Sequence, residues 1–391
     1  MTSRPRVEIV GWTQGRRATA MREWPDDFFT QAADMLCVAG VDGYFKALNP
    51  AWTRVLGWSQ EELLARPYID FVHPEDREAT LAEASKIVGG NPSVHFRNRY
   101  RCVNGSYRWL AWTATAAMID GAVYASARDI TTAVEADEET ARLQRENDER
   151  AARVQEILAG NGPQIVLQPI FSLQSGMVHG FEALSRFQLL PERTPDKWFA
   201  EAASVGLGTE LEMRALGNAV ALSQHLPSGV FMSVNVSPAT LAAPELDQTL
   251  SPVPCDRLVL EITEHAAVAD YSVLKEVLKR LRSRGVRLAI DDAGAGHSGL
   301  NQIVQLLPEF IKLDGFLTHG IDSDPVKRAL AAALVRFAAD VGASLIAEAV
   351  ERPEELAALE ELSVGFAQGF FLGRPLPLPG TSPPRPRIVR D

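Results

Sequence analysis

VRLAIDDAGAGHSGLNQIVQLLPEFIKLDGF (residues 286–316) holds two short apolar runs, 287–291 and 310–313. The first closes on Asp291 and Asp292, and the second carries Lys312 and closes on Asp314. The same texture extends on both sides. Further strands are predicted at 164–173, 178–187, 230–236, 258–263, 344–349 and 366–372, with amphipathic helical stretches such as 271–284 and 325–341 between most of them. Eight strands with intervening helices in roughly 220 residues is the arithmetic of a β/α barrel.

Barrels of this kind place their chemistry at the C-terminal ends of the strands. From the second strand onward the apolar runs close on Glu182, Asn235, Glu261, Asp291 with Asp292, Lys312 with Asp314, Glu348 and Gln368. Period-two alternation puts Phe310, Lys312 and Asp314 on one face, and likewise Ile346 and Glu348, so polar groups point into the mouth above an apolar interior. One charged strand end is ordinarily a solvated edge. A ring of carboxylates on successive strands is different, because the groups cannot all stay ionised at close range unless cations compensate them. Every candidate ligand is an oxygen, which favours Mg²⁺ or Mn²⁺ over zinc. Two such ions are a standard solution to phosphodiester hydrolysis. The pattern thus describes a metal-dependent barrel hydrolase without naming its substrate.

Composition agrees with two folded domains in 391 residues: 46% hydrophobic and 23% charged. A formal net charge of −11 argues against a binder of DNA or RNA polymer. No stretch reaches the length of an apolar spanning helix, so membrane insertion is not expected. Cys37, Cys102 and Cys255 lie far apart without metal or disulfide spacing, which fits reduced, cytoplasmic protein.

Residues 1–24 are Arg-rich and read as a flexible lead-in, and 379–391 as a flexible tail. Between 25 and 130, strands are expected at 35–39, 44–47, 95–101, 107–116 and 122–129, with helices at 50–56 and 74–87. The turn dipeptides Asp42-Gly43 and Asn104-Gly105 favour tight hairpins and a mainly antiparallel sheet. Trp52, Trp58, Trp109 and Trp112 read as core residues and His73 as a turn histidine, so no cofactor is assigned here. Residues 131–160 form a linker ended by Gly160, Gly162 and Pro163. Its 131–158 part lacks Gly and Pro and is expected to be one exposed helix. That helix serves either as a two-stranded signalling coil, which makes the assembly a homodimer, or as a solvated linker.

Two resemblances refine these expectations. The stretches DMLCVAGVDGYFKALNPAWTRVLGW (34–58), IDFVHPEDR (69–77), FRNRYRCVNGSYRWLAWTATAAM (96–118) and ARDIT (127–131) resemble a PAS sensory domain. From Gln164 to Pro375, within a barrel domain expected at 161–378, the chain is similar to the EAL family of cyclic di-GMP phosphodiesterases, a modified TIM-like (β/α)8 barrel. The likeness is carried by Glu182-Ala183-Leu184-Ser185-Arg186-Phe187, Asn235-Val236-Ser237, Glu261-Ile262-Thr263-Glu264, Asp291-Asp292, Ile311-Lys312-Leu313-Asp314, Ala347-Glu348-Ala349-Val350-Glu351 and Gln368-Gly369-Phe370. A lone Glu-Ala-Leu triplet is weak; this ordered series is specific.

The EAL resemblance implies hydrolysis of cyclic di-GMP to linear pGpG with two divalent cations, under control of the PAS domain. It implies that Glu182, Asn235, Glu261 and Asp291 hold one metal, and that Asp291, Asp292 and Glu348 serve the second. Lys312 would orient the attacking water, Glu348 would be the general base, and Arg186 would grip the phosphate. Gln168, Asp314 and Gln368 match positions lining the nucleotide or water network. Glu264 and Glu351 match carboxylates supporting the loop after Asp292 and the mouth. Departures cluster at Ala293-Gly294-Ala295-Gly296, where Phe-Gly-Thr-Gly is common, and at Ala349, where Gly is frequent. A barrel that binds cyclic di-GMP without cleaving it is the alternative function, and a PAS-and-coil scaffold is a third that leaves the carboxylates unexplained.

Overall fold

The computed structural model describes residues 26–116, 122–252, 254–263, 270–293 and 297–378, the side chains of Asp26, Asp292, Ala293, His297 and Ser298 excepted. The terminal segments 1–24 and 379–391, Glu264, and most of the loop with the Ala-Gly-Ala-Gly departure therefore lie outside the described residues. Two compact units divide the chain, Met1–Arg145 and Glu146–Asp391. Among the described residues no helix is long and apolar enough to cross a membrane.

The first unit is an antiparallel sheet of β1 (Met35–Ala39), β2 (Phe45–Leu48), β3 (Ser93–Arg101), β4 (Tyr107–Ala116) and β5 (Val123–Asp129), in the order β2-β1-β5-β4-β3. Its core is aromatic. Trp52 is fully buried, with Phe45 at 4.9 Å and Tyr100 at 5.9 Å between ring centroids. Burying an indole N–H without a partner is costly. Trp52 donates to the Leu36 carbonyl at 3.1 Å, Trp58 to the Arg101 carbonyl at 2.7 Å and Trp112 to Asn98 at 2.7 Å. Burial pushes the Cys37 thiol up to about 12, so it stays protonated in this core. His73 accepts from the Glu75 backbone N–H at 3.3 Å, at the start of a helical turn.

A single helix, Thr131–Ala159, runs across the division between the units. Leu143 on it is exposed, but its last turns are not. Val154, Ile157 and Leu158 are buried against Trp198, Ala202 and Leu211 of helices Pro195–Ser204 and Gly208–Ser223. The end of the expected linker therefore belongs to the core of the second unit.

That unit is a closed barrel of β6 (Gln164–Ser172), β7 (Val178–Arg186), β8 (Phe231–Asn235), β9 (Leu258–Thr263), β10 (Arg287–Ala293), β11 (Phe310–Leu313), β12 (Ser344–Ala347) and β13 (Phe366–Ala367). β6 runs antiparallel to both neighbours, and every other pair is parallel. The reversal follows from the short 173–177 connection. A parallel crossover needs a dozen residues or more, whereas a hairpin needs few.

Strand alternation separates two apolar sets. Phe181, Met232, Val234, Leu260, Ile290, Ile311 and Leu345 face outward to the helices. Ile170, Phe231, Val259, Ala289, Phe310 and Ile346, with Phe366 packed on them, fill the interior as a floor. Burying each such side chain contributes roughly 1.5–3 kcal/mol, which fixes which face of every strand turns inward.

β12 and β13 end earlier than the predicted 344–349 and 366–372. Ala349 takes a left-handed φ of 52°, which breaks the strand. A Cβ on Gly369 would collide with the Val350 backbone, so glycine lets the two segments close on each other. Val350 donates to the Gln368 carbonyl at 3.1 Å and Phe371 to the Val350 carbonyl at 3.0 Å. A non-glycine left-handed residue costs about 1–2 kcal/mol. Ala349→Gly is accordingly expected to stabilise the protein by about 0.5 kcal/mol after the extra entropy of an unfolded glycine is charged against it. A shift of the urea midpoint toward lower denaturant would contradict this.

Candidate active site

Above the apolar floor every inward side chain becomes polar, with one layer supplied by alternate strands. Glu182 on β7, Glu261 on β9, Lys312 on β11 and Gln368 just past β13 form it, and each is buried. Asn235 on β8, Asp291 on β10, Glu348 just past β12 and Gln168 on β6 crowd round this layer. Gln168 pairs in register with Glu182, which the reversed strand brings to the mouth.

Lys312 is the centre of the cluster. Its ammonium lies 2.7 Å from Glu348, 2.9 Å from Glu261, 3.1 Å from Asp291 and 3.3 Å from Glu182. Burial alone would favour a neutral amine, but the surrounding carboxylates outweigh it and hold the group charged. Glu182 also accepts from Gln368 Nε2 at 2.7 Å and from Asn235 Nδ2 at 3.2 Å, and Gln368 Nε2 reaches Glu348 at 2.9 Å. Four carboxylates against one ammonium leave the cluster electron-rich. Burial, offset in part by Lys312 and reinforced by Glu182 and Asp291, pushes Glu261 up to about 8. Burial likewise raises Glu348 well above the usual carboxylate range.

These residues fit divalent cations. One oxygen from each of Glu182, Glu261 and Asp291 lies within 4.8 Å of the others, an all-oxygen set suited to a hard ion. Glu261 Oε1 is buried and, among the described residues, has no hydrogen-bond partner, so this carboxylate keeps acceptor capacity that the protein's own donors do not use. Because ligation needs ionised carboxylates, metal must displace protons. Mn²⁺ titrated into metal-free protein at pH 7 is expected to release about one proton or more, falling as pH rises through about 8, where Glu261 is already ionised. Calorimetry in buffers of different ionisation enthalpy measures this; release independent of pH between 6 and 9 would contradict it.

The remaining predicted site residues are placed as follows. Asp292 follows Asp291 on β10, but its side chain is outside the described residues, as is all of Glu264. Arg186 is exposed at the end of β7, donating to the Ser185 carbonyl at 2.8 Å, and does not join the carboxylates. Asp314 accepts from the Phe316 N–H at 3.0 Å and caps the helix Gly315–Thr318. Gln168 donates to the Gly373 carbonyl at 3.2 Å. Glu351 is exposed and lines a cavity of about 420 Å³ with Phe370, Phe371 and Arg374, whose guanidinium lies 4.3 Å from the Phe370 ring centroid.

Two supporting carboxylates escaped the sequence reading. Buried Glu355 accepts from the backbone N–H groups of Gly320, Glu351 and Arg352 at 3.0, 3.0 and 3.1 Å, fixing the turn after Glu348. Burial works against its ionisation, and these hydrogen bonds prevail and hold it below the usual range. Glu212 accepts from the Ser237 N–H at 2.8 Å and the Thr240 hydroxyl at 2.6 Å, fixing the turn after Asn235. The signal for Glu355 was present as a carboxylate at the third position of a helix begun by Arg352-Pro353.

Residues 45–125 match the PAS fold family, and residues 151–375 match the EAL domain family. Probable cyclic di-GMP phosphodiesterase PdeN of Escherichia coli is 30% identical over 226 residues, covering 55% of this chain and 43% of that protein. Cyclic di-GMP phosphodiesterase RocR of Pseudomonas aeruginosa is 30% identical over 231 residues, 54% of this chain and 56% of the other. The chain thus spans about half the length of these curated relatives. Among solved structures, a manganese and cyclic di-GMP complex of Klebsiella pneumoniae BlrP1 matches with a TM-score of 0.51 and 32% identity, over 56% of this chain and 57% of that one. The PaMucR phosphodiesterase, solved as a c-di-GMP complex, matches with a TM-score of 0.53 and 25% identity, over 59% and 98%. With the model match extending over more than half its length, this chain belongs to the EAL domain family.

Proposed function

We propose that the chain hydrolyses cyclic di-GMP to linear pGpG in a divalent-metal-dependent reaction, and that its PAS unit sets the rate. The observation that carries this reading is the buried carboxylate cluster gathered round Lys312 at the mouth of an EAL-family barrel. Glu182, Asn235, Glu261 and Asp291 would hold one Mg²⁺ or Mn²⁺, with Asp291, Asp292 and Glu348 serving a second. Bound there, two divalent ions acidify the attacking water and neutralise charge on the phosphate.

The chain's own groups divide the rest of the work. Glu348, held at the mouth by Lys312 at 2.7 Å and Gln368 at 2.9 Å and kept ionised by the bound cations, would take the proton of the water as it adds to phosphorus. Lys312 fixes that water and, as a permanent cation, stabilises charge developing around it. One P–O ester bond breaks, the leaving ribose oxygen gains a proton, and the product keeps both phosphates. Arg186, exposed at the rim, has its guanidinium available to a phosphate. The cavity flanked by Phe370 and Arg374 suits a flat purine, and Gln168, Asp314 and Gln368 complete the nucleotide and water network. Glu264 and Glu351 would steady the loop after Asp292 and the mouth. The three free cysteines fit a cytoplasmic location, and the helix Thr131–Ala159 would join two copies as a homodimer.

The test is incubation of the full chain with cyclic di-GMP in Mg²⁺, Mn²⁺ or chelator, followed by chromatography of the nucleotides. Appearance of pGpG only with metal is expected. Tight binding without product would make the protein a cyclic di-GMP receptor instead. PAS control predicts a phase dependence in helix Thr131–Ala159, since about 3.6 residues make one turn. Inserting four residues near Arg142 should disturb turnover less than inserting two; equal effects would leave the PAS unit without a helical route to the barrel.

A further inference from the structure

Directly beneath the Glu182, Glu261, Lys312 and Gln368 layer lies one drawn from the other strands: Ser233, Ala289, Ile346 and Ile170. The strand register sets this order. Ser233 stands opposite Glu182 on one side and Val259 on the other, so Glu261, two residues beyond Val259, projects above it. Met232 and Val234 face the outer core, which turns Ser233 into the barrel. Its neighbours Ala289, Ile346 and Ile170 all belong to the apolar floor. Ser233 is therefore a lone hydroxyl in an apolar layer. It is 0% exposed, and among the described residues its Oγ has no hydrogen-bond partner.

An orphaned buried hydroxyl costs stability, and alanine would fill the same place without that cost. The acceptor it could serve lies in the layer above. Both oxygens of Glu182 are engaged, Oε1 by Lys312 and Asn235 and Oε2 by Gln368. Glu261 is engaged only through Oε2, which faces Lys312 at 2.9 Å, while its buried Oε1 is open. A carboxylate that ligates a cation through one oxygen is commonly held by a hydrogen bond to the other, and such a partner affects metal affinity by 10–100-fold.

We propose that Ser233 is a positioning residue of the metal centre, donating its hydroxyl hydrogen upward to Oε1 of Glu261 and so presenting the other carboxylate oxygen to the cation. Ser233 pairs in register with Val259, two residues before Glu261 on the adjacent strand, so rotation of the two side chains is what closes the contact. This inference rests on the metal-binding role proposed for Glu261 and not on turnover.

The test measures Mn²⁺ affinity of the full chain by calorimetry, alongside its melting temperature in chelator. Ser233→Ala is expected to weaken Mn²⁺ binding about 10–100-fold while the metal-free melting temperature rises by roughly 2–4 °C. Ser233→Thr, which keeps the hydroxyl, should restore most of the affinity. A merely structural serine would lower the melting temperature and leave Mn²⁺ affinity alone. Affinity within twofold of wild type in Ser233→Ala, or equal loss in the alanine and threonine variants when both are folded, overturns the proposal. Should Ser233→Ala fail to fold, wild-type-like affinity in Ser233→Thr together with weakened affinity in Ser233→Cys supports it, and the reverse pattern overturns it. A wild-type protein that binds Mn²⁺ but leaves cyclic di-GMP intact would sink the hydrolase reading, and the Ser233 comparison would still be decisive.

Discussion

Glu261→Gln is expected to lower cyclic di-GMP turnover about a thousandfold, a barrier increase of about 4 kcal/mol, while the metal-free protein gains stability at high pH. A neutral amide oxygen is a poor replacement for a carboxylate on a divalent ion, so the first effect follows from the ligand role. The second follows from burial. Glu261 is raised to about 8 in the fold, against about 4.3 when unfolded. Its contribution to stability is therefore fully present below about pH 4.3 and is lost as pH rises through about 8. Glutamine mimics the protonated acid and cannot lose that contribution. In chelator the two proteins should melt together near pH 5, and the variant should melt higher at pH 9. Turnover within tenfold of wild type would reject Glu261 as a ligand, and identical melting at pH 9 would show that it is not buried as a strained acid.

Much of this cluster was legible because a barrel converts strand ends into a ring, and the ends at Glu182, Glu261, Asp291 and Lys312 are charged in otherwise apolar runs. Ser233 was not legible. A serine inside the 230–236 run is an ordinary guest of a buried strand, and only the register shows that it sits under Glu261 with its hydroxyl orphaned. Glu355 hid for a different reason. It lies on helix Pro353–Glu361, four residues after Glu351, and reads as solvated surface until the turn folds back onto it. The reversed β6 was implied by the short 173–177 connection, yet eight strands counted in a row suggest uniform parallel winding. The early ends of β12 and β13 depend on one backbone contact, Gly369 against Val350, which no periodicity records. The burial of Val154, Ile157 and Leu158 was hidden in a charged helix because their partners, Trp198 and Leu211, are distant in sequence.

Lys312→Met separates the electrostatic role of this residue from metal binding. The ammonium is buried and contacts Glu182, Glu261, Asp291 and Glu348 at once, so deleting its charge leaves four carboxylates facing one another. Breaking a buried ion pair by removing one partner typically costs about 3–5 kcal/mol. Methionine fills most of the volume, so the loss should come from charge and not from a cavity. Its sign with pH is opposite to that of Glu261→Gln. At low pH the carboxylates are protonated and need no counter-charge, so Lys312→Met should melt close to wild type. As pH rises and Glu261 and Glu348 ionise, the variant should fall progressively further behind. Added Mn²⁺ supplies the missing positive charge, so the metal-induced rise in melting temperature should be larger in the variant than in wild type. Turnover should not follow. If Lys312 fixes the attacking water and stabilises developing charge, kcat at saturating Mn²⁺ stays down by on the order of a thousandfold, although metal affinity is kept or improved. Recovery of wild-type kcat at high Mn²⁺ would reduce Lys312 to a counter-ion that only holds the empty carboxylates together.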